Sequence, residues 1–422
     1  MSGAQRIPLA DHVADAVALL AAVRTTEVIA LDGRAVGRIA ARPQRALVDV
    51  PGVDNSQMDG YALAAADLAA AGEPVTLPRG AVIAAGDAPS EHLRGTARPI
   101  MTGAPLPDGA GLVIPVEESA QGRFTSEQGE QGETGTVTLT PASVEPGRFV
   151  RRRGSDTRRG DTVLREGRLL TPARIAHLAA CGARDVEVEA RLRVIVLSTG
   201  SEVQAPAAGA PAPGRLFDAN GPGLAAALTE AGAEVVHRDA VPDDAAALLA
   251  QLRAQVREHD ADLVLTSGGV SMGAFEVVRH AADHDGVTLA FPTLAMQPGG
   301  PQGLGTIEVD GRRVPWLAFP GNPVSALLSC ELIARPALGA PARRRLRLPV
   351  QLEAAEPSPP ALDQYRRARV LPSGRVRLVG GASSHLIGGY ASADALVRVP
   401  AGIDTIRDGD ELETLLIPGG DR

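Results

Sequence analysis

Two glycine-containing turns carry the residues whose types and spacing are best suited to binding an anion. Each turn follows a short apolar run and precedes a segment with helical signals, at residues 266–273 and 320–325. A helix that begins there directs unpaired backbone N–H groups and the positive end of its dipole at the turn. A lone Gly-Gly turn is usually only a connection, but neighbouring hydroxyls favour a phosphate cradle. The residues that we expect to contact the anion are Ser267, Gly268, Gly269, Ser271, Gly321, Asn322, Pro323 and Ser325.

Alternating strands and helices must position these turns. The pattern spans residues 191–340 and predicts a parallel, three-layer α/β domain, in which Asn220 caps one helix. Ligands of such domains bind outside the carboxyl ends of the strands. Both turns fall at such ends, as does a third turn of Ser198, Thr199 and Gly200. We therefore expect the three turns to meet at one edge of the sheet. Asn322 followed by Pro323 is equally typical of a plain helix N-cap.

Three acidic residues lie just beyond strands or at helix starts in the same segment. These are Glu202, Asp243 and Glu276, and each alone is typical of a cap or a surface acid. At one sheet edge, together with phosphate oxygens, they could hold Mg²⁺, which prefers a few carboxylate ligands.

Two polar segments outside this domain have alternative interpretations. Residues 54–62 combine Asp59 with a second carboxylate and a tyrosine, which suits either a surface turn or acid–base chemistry. The run Arg151, Arg152 and Arg153 could be a solvated basic edge, or it could neutralise an anionic ligand.

Composition excludes several classes of function. The 422 residues carry a formal net charge of -8, which argues against general nucleic-acid binding. All 42 basic residues are arginine, since the sequence contains no lysine. No apolar run is long enough to cross a membrane, and the N-terminus lacks signal-peptide features, so we expect a cytoplasmic location. The two cysteines and eight histidines show no metal-ligand spacing.

Composition shifts divide the chain into four predicted domains. Residues 1–47 and 147–190 form an elongated helical N-terminal domain, with one helix predicted at 8–24 and another that begins at Thr171 and Pro172 and ends near Gly182. A β-rich domain of residues 48–146 is inserted into it. The α/β domain follows at 191–340, and a small β-domain occupies 341–422. The Gly/Glu/Gln-rich stretch 121–135 is typical of an exposed hairpin tip or a disordered loop. The predicted class is therefore multidomain α/β.

Taken together, the motifs resemble those of the molybdopterin molybdenumtransferases, which include MoeA and the E domain of gephyrin. The matching segments are residues 51–62, 101–105, 151–154, 198–200, 218–220, 266–271, 320–325, 364–367 and 384–386. The resemblance implies that the α/β domain binds molybdopterin and that the chain forms an elongated homodimer. It places the active cleft between that domain of one subunit and the inserted domain of the other.

The resemblance also implies a reaction and a set of site residues. Adenylylated molybdopterin and molybdate are the substrates, and Mg²⁺-dependent hydrolysis releases AMP and leaves molybdenum on the dithiolene. Arg367 and Ser384 match positions near the molybdate pocket, and Pro298 belongs to the substrate-binding set. The residues implied at catalytic positions in the cleft are Asp59, Thr102, Asp156, Glu202, Asp243 and Glu276.

This sequence departs from the family pattern at two places. Ser201 replaces an acid beside Glu202, and the loop 293–301 lacks the lysines that relatives often have at Thr293, Gln297 and Gly300. Candidate replacements for that charge are Arg279, Arg151 and Arg366. The alternative hypothesis is therefore a paralogue that binds molybdopterin as a carrier or scaffold without transferring metal. A general nucleotide-binding protein is disfavoured because no Walker lysine or Gly-x-Gly-x-x-Gly motif is present.

Overall fold

The computed structural model describes residues 6–124, 135–205, 209–271 and 276–419. They form two compact units, the first from residues 1–25 and 190–422 and the second from residues 26–189. The expected hairpin tip or loop at 121–135 lies mostly outside the described residues. No helix of the described chain is long and apolar enough to cross a membrane.

The helix predicted near the N-terminus is confirmed as α1 (Leu9–Ala21). Its buried residues are His12, Ala16 and Leu20, and it belongs to the first unit because Ala16 and Leu20 pack into that unit's core. These positions are four residues apart, which is the spacing of one face of a helix.

The second unit consists mainly of short strands. Its helix α2 (Pro172–Ala180) begins as predicted, with the Thr171 side chain accepting from the Arg174 N–H. It is the only α-helix among the described residues of this unit, so the helical character that we expected at 147–190 is limited. The strands are β1 (Thr26–Ala30), β2 (Gln44–Arg45), β3 (Asn55–Ser56), β4 (Gly60–Leu63), β5 (Val75–Pro78), β6 (Arg98–Ile100), β7 (Leu112–Pro115), β8 (Thr136–Leu139), β9 (Val150–Arg151), β10 (Thr162–Leu164) and β11 (Asp185–Glu189).

Six strands form the central sheet of the first unit, in the order β15-β12-β16-β20-β19-β17. Helices cover both of its faces, because alternate residues of the strands are buried on opposite sides. On one side α3 packs against β12 and α6 against β20, and on the other side α4 packs against β12 and α5 against α4. The strands are β12 (Arg193–Thr199), β15 (Glu234–Val241), β16 (Leu263–Ser267), β17 (Val287–Ala290), β19 (Gly303–Val309) and β20 (Arg312–Phe319). The helices are α3 (Asn220–Glu230), α4 (Ala245–His259), α5 (Val277–Ala281) and α6 (Pro323–Ser329).

The expectation of a wholly parallel sheet is wrong for one strand, β19. β15, β12, β16 and β20 are parallel, but β19 pairs antiparallel with both β20 and β17. The cause is a tight hairpin at Asp310 and Gly311, whose φ angles of 50° and 79° suit a two-residue turn. An Asp-Gly pair between two apolar runs is a hairpin signal that the sequence interpretation missed.

The C-terminal strands form a closed sheet, because β25 (Ala395–Val399) pairs with both β27 (Glu411–Leu416) and β23 (Asp363–Val370). β18 (Met296–Gln297) extends this sheet by pairing with β23. The other strands here are β21 (Arg345–Gln351), β22 (Glu356–Pro357), β24 (Val376–Leu378) and β26 (Thr405–Ile406). The remaining elements are β13 (Val203–Gln204), β14 (Leu216–Phe217), the π-helical segment Cys330–Ala334 that continues α6, α7 (Arg335–Ala337) and α8 (Ile387–Ala391).

Candidate active site

A cavity of about 550 Å³ lies at the carboxyl ends of β12, β16 and β20. The three predicted turns meet there, and Gly200, Gly268 and Gly321 all line the cavity. Ser198, Ser267 and Ser325 are buried instead, and none of them is among the described residues that line it. The buried serines therefore position the turns, and the glycines and their neighbours face the space where a ligand would bind.

The first turn requires glycine at two positions. A Cβ on Gly268 would stand 2.5 Å from Thr199 Oγ1, and one on Gly269 would stand 2.8 Å from the Val278 nitrogen. Both glycines also have positive φ angles, 104° and 67°, which L-residues with a side chain rarely adopt. The strand ends are packed this closely because the Gly268 N–H donates to the carbonyl of Phe319 at 2.9 Å.

The second turn is a capped helix start, as the plainer interpretation predicted. Asn322 Oδ1 accepts from the N–H groups of Val324 and Ser325 at 3.1 and 3.2 Å. Those two N–H groups are therefore already used and are not free for an anion, contrary to the simplest form of the cradle hypothesis. Gly321, Asn322 and Pro323 nevertheless line the cavity.

Asn220 does not have the capping role that we predicted for it. The N-cap residue of α3 is Ala219, and the side chain of Asp218, one residue earlier, accepts through Oδ1 from the Gly221 N–H at 2.9 Å and from Ser198 Oγ at 2.8 Å. The Asn220 amide instead donates to Ser267 Oγ at 2.8 Å and to the Gly321 carbonyl at 2.7 Å. Asn220 therefore ties the first turn to the second, a role that local sequence rules could not reveal because the partners are distant in sequence.

The acids predicted from the α/β segment all line the cavity. Asp243 Oδ2 accepts from the Ser201 N–H at 2.9 Å, and Ser201 Oγ accepts from the Asp243 N–H at 3.2 Å. Glu276 Oε2 accepts from the Ser271 N–H at 2.8 Å. Glu202 lies against Gly200, where a Cβ would stand 2.8 Å from both carboxylate oxygens.

The cavity has an acidic lining. Its described residues include four carboxylates and no arginine or histidine, the carboxylates being those of Glu202, Asp218, Asp243 and Glu276. Among the described residues, no three His, Cys, Asp or Glu side chains are grouped closely enough to hold a metal by themselves. Mg²⁺ needs no such group, because it retains waters and binds one or two carboxylates plus substrate phosphates. Hard oxygen donors of this kind suit Mg²⁺, and any two of Glu202, Asp243 and Glu276 are candidates to hold it.

The loop 293–301 adjoins the C-terminal sheet through the parallel pairing of β18 with β23. Gln364 Nε2 donates to Gln297 Oε1 at 3.1 Å, and Pro298 follows as a buried residue. On the same strand Arg367 is buried, with Nη2 donating to the carbonyls of Gly381 and Ser383 at 2.7 and 2.9 Å. Its Nε and Nη1 are buried without a partner among the described residues.

Burial lowers the pKa of the Arg367 guanidinium, and the neighbouring Arg366 adds to the effect. A buried cation with unused N–H donors is well suited to an oxyanion, which would supply both charge and acceptors. Ser384 is half-buried and follows Ser383, one of the residues that Arg367 contacts.

The three arginines proposed as replacements for the missing lysines have other partners or lie elsewhere. Arg279 Nε donates to the Val270 carbonyl at 3.0 Å, and its guanidinium lies 4.5 Å from the ring centre of Phe291. Arg366 is buried and paired with Glu356, and Arg151 belongs to the second unit.

Asp59, Thr102 and Asp156 lie in the second unit. Asp59 Oδ1 accepts from both the N–H and the hydroxyl of Thr102, at 2.7 and 2.8 Å, so the structure brings these two residues together. Asp156 Oδ2 accepts from the neighbouring Thr157 hydroxyl at 3.4 Å. All three predicted residues are exposed.

The arginine run of the second unit is largely neutralised within the chain. Arg152 pairs with Asp54 at 2.6 Å, and Arg153 pairs with Asp49 at 2.5 Å. The Arg159 N–H and the Arg153 guanidinium together lower the pKa of the Asp49 carboxyl. This favours a structural role for two of the three arginines.

Comparison with protein families matches nearly the whole chain. Residues 7–182 match the MoeA N-terminal region (domains I and II), residues 195–340 a probable molybdopterin binding domain, and residues 349–417 the MoeA C-terminal region (domain IV). The order of these regions, and the cavity at the strand ends of the middle one, define a multidomain protein of the MoeA fold. The chain belongs to the MoeA family.

Individual relatives agree with this assignment. The molybdopterin molybdenumtransferase 2 of Mycobacterium tuberculosis is 39% identical over 382 residues, covering 87% of this chain and 89% of that protein. The molybdopterin molybdenumtransferase of Synechococcus elongatus is 34% identical, covering 89% and 91%. A crystal structure of a molybdopterin biosynthesis MoeA protein from Pyrococcus horikosii has a TM-score of 0.74 at 27% identity, covering 98% of this chain and all of that one.

Proposed function

We propose that this protein is a molybdopterin molybdenumtransferase of molybdenum cofactor biosynthesis. Its substrates are adenylylated molybdopterin and molybdate, and hydrolysis of the adenylate releases AMP and leaves molybdenum on the dithiolene. The observation that carries the proposal is the cavity at the strand ends, where glycine turns and acids from different elements converge.

The glycine turns provide the binding half of the site. Side chains are absent at Gly268, Gly269 and Gly321, so a diphosphate can approach the backbone more closely than any other residue would permit. Asn220 fixes the two turns relative to each other before the substrate arrives. Preorganisation of this kind reduces the entropy that binding must otherwise overcome.

The acids provide the hydrolytic half. Mg²⁺, held by any two of Glu202, Asp243 and Glu276, would neutralise charge that develops on the phosphate oxygens as AMP leaves. Ser201 keeps Asp243 in place through two reciprocal hydrogen bonds, and Glu276 holds the end of the first turn through the Ser271 N–H. Without a cation, these carboxylates would repel a diphosphate.

Molybdate belongs, in this proposal, near Pro298, Arg367 and Ser384. The unused N–H donors of buried Arg367 favour a tetrahedral oxyanion over a neutral ligand. The proposal also includes a homodimer, and a place for Asp59, Thr102 and Asp156 at its active cleft.

A specific observation favours a second candidate function, that of a molybdopterin carrier. The loop 293–301 contains no basic residue, and the described residues that line the cavity include no cationic side chain. A carrier of this kind would still bind molybdopterin through backbone N–H groups but would not transfer molybdenum to it.

Two measurements on the purified protein separate these functions. Calorimetry gives the affinity for molybdopterin, and chromatography gives the AMP formed from adenylylated molybdopterin with Mg²⁺ and molybdate. We expect binding together with AMP release well above the rate in buffer. Binding without release would establish the carrier instead, and the absence of both would refute both functions.

A further inference from the structure

The acidic lining of the cavity does not by itself favour an anionic substrate. Four carboxylates face the space, and the described lining includes no cationic side chain. A substrate with phosphate or molybdate groups is anionic, so a side-chain cation close to the rim would strengthen its binding.

Arg6 lies beside the loop 293–301, whose last residue, Pro301, lines the cavity. The segment that contains it runs parallel to the loop 293–301, because the Ile7 N–H donates to the Thr293 carbonyl at 3.0 Å and the Ala295 N–H donates to the Ile7 carbonyl at 2.8 Å. This pairing places Arg6 Nη1 3.2 Å from the Leu294 carbonyl.

The same nitrogen is close to Gly300, the residue that precedes a wall residue of the cavity. It lies 3.5 Å from the point where a Cβ of Gly300 would stand, and the next residue, Pro301, lines the cavity. The Arg6 guanidinium therefore lies close to the position that the side chain of residue 300 would occupy if this residue were not glycine.

Arg6 is available to a ligand. Its side chain is exposed, and Arg6 forms no ion pair with any carboxylate in the described part of the chain. Its single hydrogen bond, to a backbone carbonyl, uses one N–H and leaves the charge unneutralised. Arg279, by contrast, is held by the Val270 carbonyl and the Phe291 ring.

We propose that Arg6 is a substrate-binding residue that supplies positive charge to an oxyanion of the substrates at the Gly300–Pro301 edge of the cavity. The oxyanion is either molybdate or a phosphate of the adenylylated substrate, since both are tetrahedral and anionic. This inference rests on the proposed function, because it assigns a residue to that reaction.

The test compares Arg6→Gln, which retains an N–H donor but not the charge, with Arg6→Lys, which retains the charge. We expect Arg6→Gln to raise the KM for one substrate about fivefold to tenfold at low salt, and Arg6→Lys to stay within about twofold of the wild type. The difference should shrink at high salt. Arg313→Gln, at the opposite end of the strand that leads to Gly321, is the control for loss of one surface charge.

A second experiment moves the positive charge from residue 6 to residue 300. A Cβ at Gly300 would make ordinary contacts, since the nearest atoms to its position stand at 3.4 Å and beyond, and one of them, Arg6 Nη1, is removed by Arg6→Ala. We expect Gly300→Lys to restore the KM of Arg6→Ala, because the ammonium would replace the guanidinium at the same edge.

The outcomes are separable from failure of the proposed function. Wild-type turnover establishes the reaction, and separate titrations of molybdate and of adenylylated molybdopterin show which oxyanion Arg6 binds. If the wild type is active but neither KM changes in Arg6→Gln, or if both Arg6→Gln and Arg6→Lys impair it equally, the role of Arg6 is refuted. If the wild type binds molybdopterin without turnover, molybdate affinity by calorimetry replaces KM, and an unchanged affinity in Arg6→Gln refutes the role.

Discussion

At the scale of single residues, Asn220 is the side chain that joins the two glycine turns of the site. Replacing it with Ala removes the two hydrogen bonds that join the Ser267 and Gly321 turns. We expect Asn220→Ala to lower kcat/KM at least about tenfold, while the free energy of unfolding falls by only about 1–2 kcal/mol. Steady-state AMP release and urea unfolding check the two parts.

The control for Asn220→Ala is Gln251→Ala, which removes an amide bonded to Asp239 outside the cavity. It should leave kcat/KM unchanged. Equal loss of activity in both variants would show that Asn220 contributes only to stability.

Gly268 provides a second residue-scale prediction. An added Cβ would meet Thr199 Oγ1 at 2.5 Å and the Thr199 carbonyl oxygen at 2.7 Å. Gly232 also has a positive φ, of 96°, but nothing lies within 4 Å of its Cβ position. We therefore expect Gly268→Ala to lower the free energy of unfolding by about 1–3 kcal/mol more than Gly232→Ala does. Equal losses by denaturant titration would show that the contact with Thr199 is not constraining.

At the scale of secondary-structure elements, an ion pair next to β7 links pH to stability. The Arg148 guanidinium and the Ala142 N–H lower the pKa of the Glu118 carboxyl. Because the folded pKa is depressed, this stabilisation is present above the unfolded pKa of Glu and is lost as pH falls through the folded value. We expect Glu118→Gln to reduce the loss of Tm on acidification below about pH 4.5.

Melting curves of the wild type and of Glu118→Gln, each recorded at neutral pH and in acid, check this prediction. The wild type should lose more Tm than Glu118→Gln between the two conditions. A parallel decrease in both proteins would contradict the linkage.

The elements were predictable from the sequence wherever a local signal determines them. Thr171 and Pro172 begin α2, Asn322 and Pro323 begin α6, and the apolar runs before the turns are strands. The direction of β19 was wrong because the local hairpin signal at Asp310 and Gly311 was overlooked, whereas the role of Asn220 was wrong because its partners are distant in sequence. Asn220 reads locally as a cap, but its amide bonds to residues 47 and 101 positions away.

The candidate site also has parts that the sequence predicts and parts that it does not. The convergence of three turns follows from the rule that parallel strands end at one edge, so it could be predicted without coordinates. The position of Arg6 beside Gly300 could not, because it depends on a strand-like pairing between the N-terminus and a loop about three hundred residues later.

At the scale of the whole molecule, the second unit is one continuous segment of residues 26–189 with apolar clusters of its own. We expect this fragment to fold by itself and to melt cooperatively by circular dichroism. Leu112→Ala, at a fully buried position, should lower its Tm. A fragment without a cooperative transition would show that it needs the first unit to fold.

In the proposed function, this chain couples the release of AMP to the retention of molybdenum. The most direct measurement counts both products in a single reaction of the purified protein with adenylylated molybdopterin, molybdate and Mg²⁺. We expect AMP and protein-bound molybdenum to form in equal amounts, and we expect neither to form when Mg²⁺ is chelated. AMP formation without bound molybdenum, or no AMP from a folded protein that binds the substrate, would contradict the proposed function.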